Sequence, residues 1–101
     1  MPAKDFILSL NDKLKAKTLR NIKLLSDYGP ELREPESSKL EGDIFEIRTK
    51  VGTNLTRVLY FFYVGEKAIL TNGFVKKTQK TPKKEIETAK KYKAEFLKRN
   101  Q

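Results

Sequence analysis

Phe74-Val75-Lys76-Lys77-Thr78-Gln79-Lys80-Thr81-Pro82 is the stretch where an apolar strand runs out into a cationic turn and a helix begins. The residues before it build a sheet, and those after it follow the spacing of a basic helix. Lys76, Lys77 and Lys80 fall within five residues, with Thr78, Gln79 and Thr81 among them. Ammonium groups and small polar donors both meet phosphate oxygens, so the cluster suits an anionic partner. A solvated turn is the plainer reading of such a charge run. Phe74 and Val75 count against it, because they fix the lysines at a sheet edge.

Outward from that turn, Thr81 is placed to N-cap a helix whose first residue is Pro82. Ile86, Ala89, Tyr92 or Lys93, and Phe96 then form its buried stripe, leaving Lys90, Lys91, Lys98 and Arg99 on the surface. Upstream, Ala68 to Val75 reads as a strand, preceded by a turn at Gly65-Glu66-Lys67. Leu55 to Val64 reads as a longer strand rich in β-branched and aromatic residues. It sets Arg57, Leu59, Phe61 and Tyr63 on one face and Val58, Tyr60 and Phe62 on the other. Gly52-Thr53-Asn54 turns back to a strand from Ile44, in which Ile44, Glu46 and Arg48 share one face while Phe45 and Ile47 share the other. Glu31 to Ser38 reads as loop. Before it, an apolar stripe through Phe6, Ile7, Leu10, Leu14, Ile22 and Leu25 predicts a short helix to Leu10 and a longer one from about Asp12 to Asp27. Asn11 sits at the cap and Gly29-Pro30 at the stop. The expected fold is α+β: two N-terminal helices, a three-stranded antiparallel meander and a C-terminal helix. The helices are expected on one sheet face, with the other partly open.

A chain of 101 residues supports one core, hence a single domain over 1–101. Neither cysteine nor histidine is present, which removes disulfides, thiolate nucleophiles and the commonest metal ligands, so no metal or other cofactor is expected. No apolar run reaches signal-peptide or membrane-spanning length, so the expected location is cytoplasmic with no membrane partner. The formal charge of +9 is uneven. From Lys76 onward ten lysines and arginines face three glutamates, a surplus of +7, so the preceding 75 residues hold only +2. A basic C-terminal third on a near-neutral body is the footprint of a nucleic-acid binder.

The residues available for chemistry are carboxylates, lysines, arginines, tyrosines and hydroxyls. Glu41 and Asp43 sit at a glycine turn, where solvated loop residues are the simpler account. RNA cleavage stays feasible because the substrate supplies its own nucleophile, the 2′-OH. The protein then needs only to align it, assist its deprotonation and stabilise charge at phosphorus. Tyr60, Tyr63 or a lysine could move protons, although alternate aromatics in a strand are more often core.

Lys39-Leu40-Glu41-Gly42-Asp43-Ile44-Phe45-Glu46-Ile47-Arg48, then Arg57-Val58-Leu59-Tyr60-Phe61-Phe62, then the stretch from Phe74 to Pro82 together resemble the HigB-like, often phage-derived, branch of the RelE/ParE toxins. The order of elements across nearly the whole chain is that of a RelE-like fold. The resemblance implies a ribosome-dependent endoribonuclease that cleaves translated mRNA and is held inactive by a cognate antitoxin. By position, Arg48, Arg57, Lys76 and Lys77 match the family's basic catalytic face. Lys80, Lys83, Lys84, Lys90 and Lys91 are candidate RNA-binding residues. Many relatives move protons with a histidine or a C-terminal tyrosine. This chain has no histidine and its last tyrosine, Tyr92, falls within the helix, so the acid and base stay unassigned. Two other readings remain: a gyrase inhibitor of the ParE type, and a basic RNA-binding module without catalysis. Either arginine could also serve the sheet alone by pairing with Glu46 or Asp43.

Overall fold

A computed structural model describes residues 2–75 and 80–100. Lys76, Lys77, Thr78 and Gln79 lie outside the described residues. The chain forms α1 (Pro2–Leu8), α2 (Asp12–Tyr28), a single 3₁₀ turn (Gly29–Glu31), β1 (Ser37–Lys39), β2 (Phe45–Val51), β3 (Asn54–Tyr63), β4 (Lys67–Val75) and α3 (Lys83–Arg99). Asn11 caps α2 as its sequence position predicts, its Oδ1 accepting from the Leu14 N–H at 3.0 Å. Gly29, at φ 55°, ends the helix in the left-handed region and donates its N–H to the Leu25 carbonyl.

Among the described residues the sheet has four antiparallel strands in the order β1-β2-β3-β4, where the sequence predicts three. The additional strand, Ser37–Lys39, carries no alternating apolar signal. It is held at the edge by pairing Ser37, Ser38 and Lys39 with Ile47, Glu46 and Phe45. Its side chains add polar links: the Ser37 hydroxyl bonds the Tyr60 phenol, and Ser38 Oγ donates to Glu46 Oε2 at 3.1 Å.

Both faces of the sheet are covered, which corrects the expectation of helices on one face. Ile47, Val58 and Tyr60 pack with Ala3, Ile7 and Leu25 of α1 and α2, backed by a mutually packed set of rings from Phe45, Tyr60 and Phe62. Ile44, Leu59 and Phe61 pack on the opposite side with Ala89 of α3. Phe96 sits edge-on to Phe61 and Tyr63 at 5.6 and 5.0 Å. The physical reason lies in β3, where Val58, Leu59, Tyr60 and Phe61 are all buried. A strand apolar on both faces needs a layer on each. At the other edge, Gly73 of β4 lets α1 lie close: a Cβ there would fall 2.4 Å from Phe6 Cδ2.

The start of α3 also differs. Pro82 is its N-cap and makes no side-chain cap bond. Thr81 turns its hydroxyl inward to the Glu46 carboxylate, because a buried carboxylate competes strongly for a donor.

Candidate functional site

β1 begins opposite Ile47, so β2 runs on past it and leaves Arg48 to Lys50 as an open strand edge. Backbone groups at such an edge need partners. The arriving chain supplies one, as the Arg48 N–H donates to the Glu36 carbonyl at 2.7 Å. Helix α2 supplies others: Asn21 Nδ2 donates to the Arg48 carbonyl at 3.1 Å and to Thr49 Oγ1 at 3.0 Å, and Lys17 Nζ donates to the Lys50 carbonyl at 2.6 Å. These bonds frame a cleft of about 520 Å³ lined by Lys17, Asn21, Glu34, Pro35, Glu36, Arg48, Lys50, Leu55 and Arg57. Among the described residues, four cations and two carboxylates thus border one concave surface, with Arg48 and Arg57 directly opposite in the β2/β3 register.

The two arginines differ in depth. Arg57 is 2% exposed, and its Nη1 reaches both oxygens of Glu46, itself 2% exposed, at 2.9 and 2.8 Å. The same Nη1 donates to Thr81 Oγ1 at 2.9 Å. Glu46 therefore gathers Arg57, Ser38 and Thr81 into one buried node that fastens the segment before α3 to the middle of the sheet. Arg48 lies at the rim with its side chain 24% exposed. Its Nη2 meets Glu34 Oε1 at 2.9 Å, and its Nε stands 3.8 Å from Glu46 Oε2. Pairing with Glu46 is thus realised for Arg57 and only at long range for Arg48. Asp43 pairs with Lys39 instead.

The structure brings Arg48 and Arg57 together; Lys76 and Lys77 are outside the described residues. Lys80 is exposed one residue before the Thr81 anchor, and Lys83 and Lys84 are exposed in the first turn of α3. Lys91 is exposed as well. Lys90 is engaged by Glu41 at 2.9 Å and Glu87 at 3.6 Å. Its hydrogen bond to Glu41 raises its pKa and lowers that of the Glu41 carboxyl.

Neither tyrosine considered for proton transfer lines the cleft. Tyr60 is buried beneath β1, and burial raises its pKa, opposed by the Ser37 hydrogen bond. Tyr63 lies about 20 Å along β3 from Arg57 and donates to the Asn100 carbonyl at 3.0 Å. Lys17, Asn21, Lys50 and Glu34 were missed as site residues. Glu46 carried a usable signal: a carboxylate alternating with apolar residues in a strand covered on both faces must find a cation.

Among the described residues, no helix is long and apolar enough to cross a membrane. Residues 5–94 match the phage-derived Gp49-like protein family. The chain is also 44% identical over 50 residues to proteins named "Probable endoribonuclease HigB1" from two strains of Mycobacterium tuberculosis. The matched stretch covers 50% of this chain and 39% of each relative, so the chain spans well under two thirds of their length. The match over residues 5–94 spans most of the sequence, and the chain belongs to the Gp49-like family of RelE/HigB-type toxins.

Proposed function

We propose that this chain is the toxin of a toxin–antitoxin pair and cleaves mRNA on the ribosome, with the phosphate to be cut seated on Arg48. The observation that carries this reading is the placement of the Arg48 guanidinium, partly exposed at the rim of a cleft that Lys17 and Lys50 also border. A planar fork of donors on a strand can grip two phosphate oxygens at once. The substrate 2′-OH then attacks the adjacent phosphorus and loses its proton. A 2′,3′-cyclic phosphate forms, and the departing 5′-oxygen takes up a proton. Cations fixed around the phosphorane stabilise its extra charge. Arg57 serves this site as a positioning residue, held by Glu46 below the surface. Lys80, Lys83, Lys84 and Lys91 extend the grip to neighbouring phosphates, and Lys76 and Lys77 belong to the same basic segment of the sequence. A cognate antitoxin silences the chain by covering this face.

The test is primer extension on an mRNA in a translating extract. New ends that need both ribosomes and the protein are expected, and they vanish with Arg48→Lys while the melting temperature stays constant. Lysine keeps the charge and loses the fork, so the expected loss is about 2 to 4 kcal/mol of transition-state stabilisation. Full cleavage by Arg48→Lys removes Arg48 from the role. Intact mRNA together with trapped, broken DNA replaces the whole reading with gyrase inhibition.

A further inference from the structure

The partner that Arg48 already holds is informative. Glu34 lies in the turn between the 3₁₀ segment and β1, and its side chain is 74% exposed, yet its carboxylate sits 2.9 Å from Arg48 Nη2. The turn is fixed at both ends. Ser37 N–H donates to the Arg33 carbonyl at 3.2 Å, and Arg48 N–H to the Glu36 carbonyl at 2.7 Å. The carboxylate is therefore delivered to the guanidinium by a backbone that is itself bonded to Arg48. A carboxylate and a phosphate present the same pair of oxygens to an arginine fork. Exposure then separates the two glutamates. Glu46 is buried with several donors and cannot leave without stranding them, whereas an exposed ion pair such as Glu34 with Arg48 is held weakly and exchanges readily.

We infer that Glu34 occupies the phosphate seat on Arg48 in the free protein and is exchanged for an RNA phosphate on binding. The inference rests on the proposed function. It makes Glu34 a built-in competitor that sets how tightly RNA is taken. Anions that meet Arg48 alone displace it poorly. An RNA strand that also meets Lys17, Lys50 and the basic start of α3 displaces it through the sum of those interactions.

The experiment is a fluorescence anisotropy titration of a short 2′-O-methyl RNA, which lacks the attacking hydroxyl, at one fixed ionic strength. Wild type, Glu34→Gln, Arg48→Ala and the double variant form a cycle, with Glu95→Gln on the exposed part of α3 as a charge control. Glu34→Gln is expected to bind about two- to fivefold tighter, the range set by an exposed ion pair. That gain disappears in the Arg48→Ala background. If Arg48→Ala weakens binding while Glu34→Gln leaves it unchanged or weaker, the exchange is refuted and the RNA-binding cleft stands. If Glu34→Gln gains as much without Arg48 as with it, or no more than Glu95→Gln, the effect is net charge and the exchange is again refuted. If wild type and variants bind the RNA equally poorly, the proposed function falls and the exchange falls with it.

Discussion

Replacing Arg57 by alanine tests whether this arginine supports the site or touches its substrate. The substitution leaves Glu46 as a carboxylate 2% exposed with the Arg48 guanidinium standing off at 3.8 Å, and the hydroxyls of Ser38 and Thr81 do not neutralise a charge. Removing one partner of a buried pair costs about 3 to 5 kcal/mol. In a domain of this size each kcal/mol shifts the melting temperature by about 4 to 8 °C, so a fall of about 12 to 40 °C is expected. That loss consumes much of the roughly 5 to 15 kcal/mol by which such domains are stable. Arg57→Met combined with Glu46→Gln removes both charges and keeps an amide oxygen for Ser38 and Thr81, so it should recover at least half of the fall. Thermal unfolding followed by circular dichroism, with urea midpoints as a second measure, reads both variants. An Arg57→Ala protein that melts within about 3 °C of wild type and has lost cleavage would refute the anchoring role and make Arg57 a direct phosphate ligand.

Two further outcomes follow from particular side chains. The Tyr60 phenol holds its proton to higher pH in the folded protein than its ordinary value of 10.0, so the folded state binds more protons above that pH. Stability must then fall as pH rises past about 10 toward the folded value. Tyr60→Phe should therefore flatten the alkaline decline in melting temperature while costing about 1 kcal/mol at neutral pH through removal of the Ser37 bond; equal alkaline slopes in the two proteins refute this. Changing Lys83, Lys84 and Lys91 together to glutamine should lower the slope of log affinity for single-stranded RNA against log salt by roughly 0.7 for each phosphate no longer neutralised. Lys90→Gln alone should leave the slope nearly unchanged, because Glu41 already holds that ammonium, and an unaltered slope in the triple variant makes the start of α3 plain solvated surface.

Helices and long strands were legible because their periods are strong: the Asn11 cap, the stop at Gly29 and the β2–β3 turn at Gly52 all fall where local chemistry places them. β1 was not legible, since three polar residues become a strand only through partners on β2 and a buried hydroxyl pair with Tyr60. The second covering layer was within reach. Leu59 and Phe61 on one face and Val58 and Tyr60 on the other already demand cover on both sides, and α3 carries the matching stripe of Ile86, Ala89 and Phe96. At the site, strand alternation set Arg48 beside Glu46 on one face of β2 and Arg57 beside Leu59 on one face of β3, and the register that puts the two arginines opposite each other came only with the sheet. Their unequal depth depends on where β1 starts and on Thr81 turning inward, neither of which local sequence encodes. Lys17 and Asn21 reach the site from α2 across a tertiary interface, so no spacing in the sequence announces them.

Two arginines facing each other across an antiparallel pair repel, and a sheet keeps such a pair only where carboxylates offset it. Glu46 lies two residues before Arg48 on the same face of β2 and takes Arg57 at 2.8 Å while staying 3.8 Å from Arg48 Nε. One carboxylate between two guanidiniums leaves a unit of positive charge, and geometry decides where that charge appears. Because β1 starts at Ser37, opposite Ile47, the sheet edge opens at Arg48 and the surplus faces the cleft. A β1 extended toward residue 35 in the same register would pair past Arg48 and carry Glu34 and Glu36 away from their turn. The turn instead sets a solvent-exposed carboxylate over the surplus cation. Burial thus divides two chemically alike pairs: the enclosed one, Glu46 with Arg57, holds the segment before α3 to the sheet, and the open one, Glu34 with Arg48, is weak enough for a phosphate to replace.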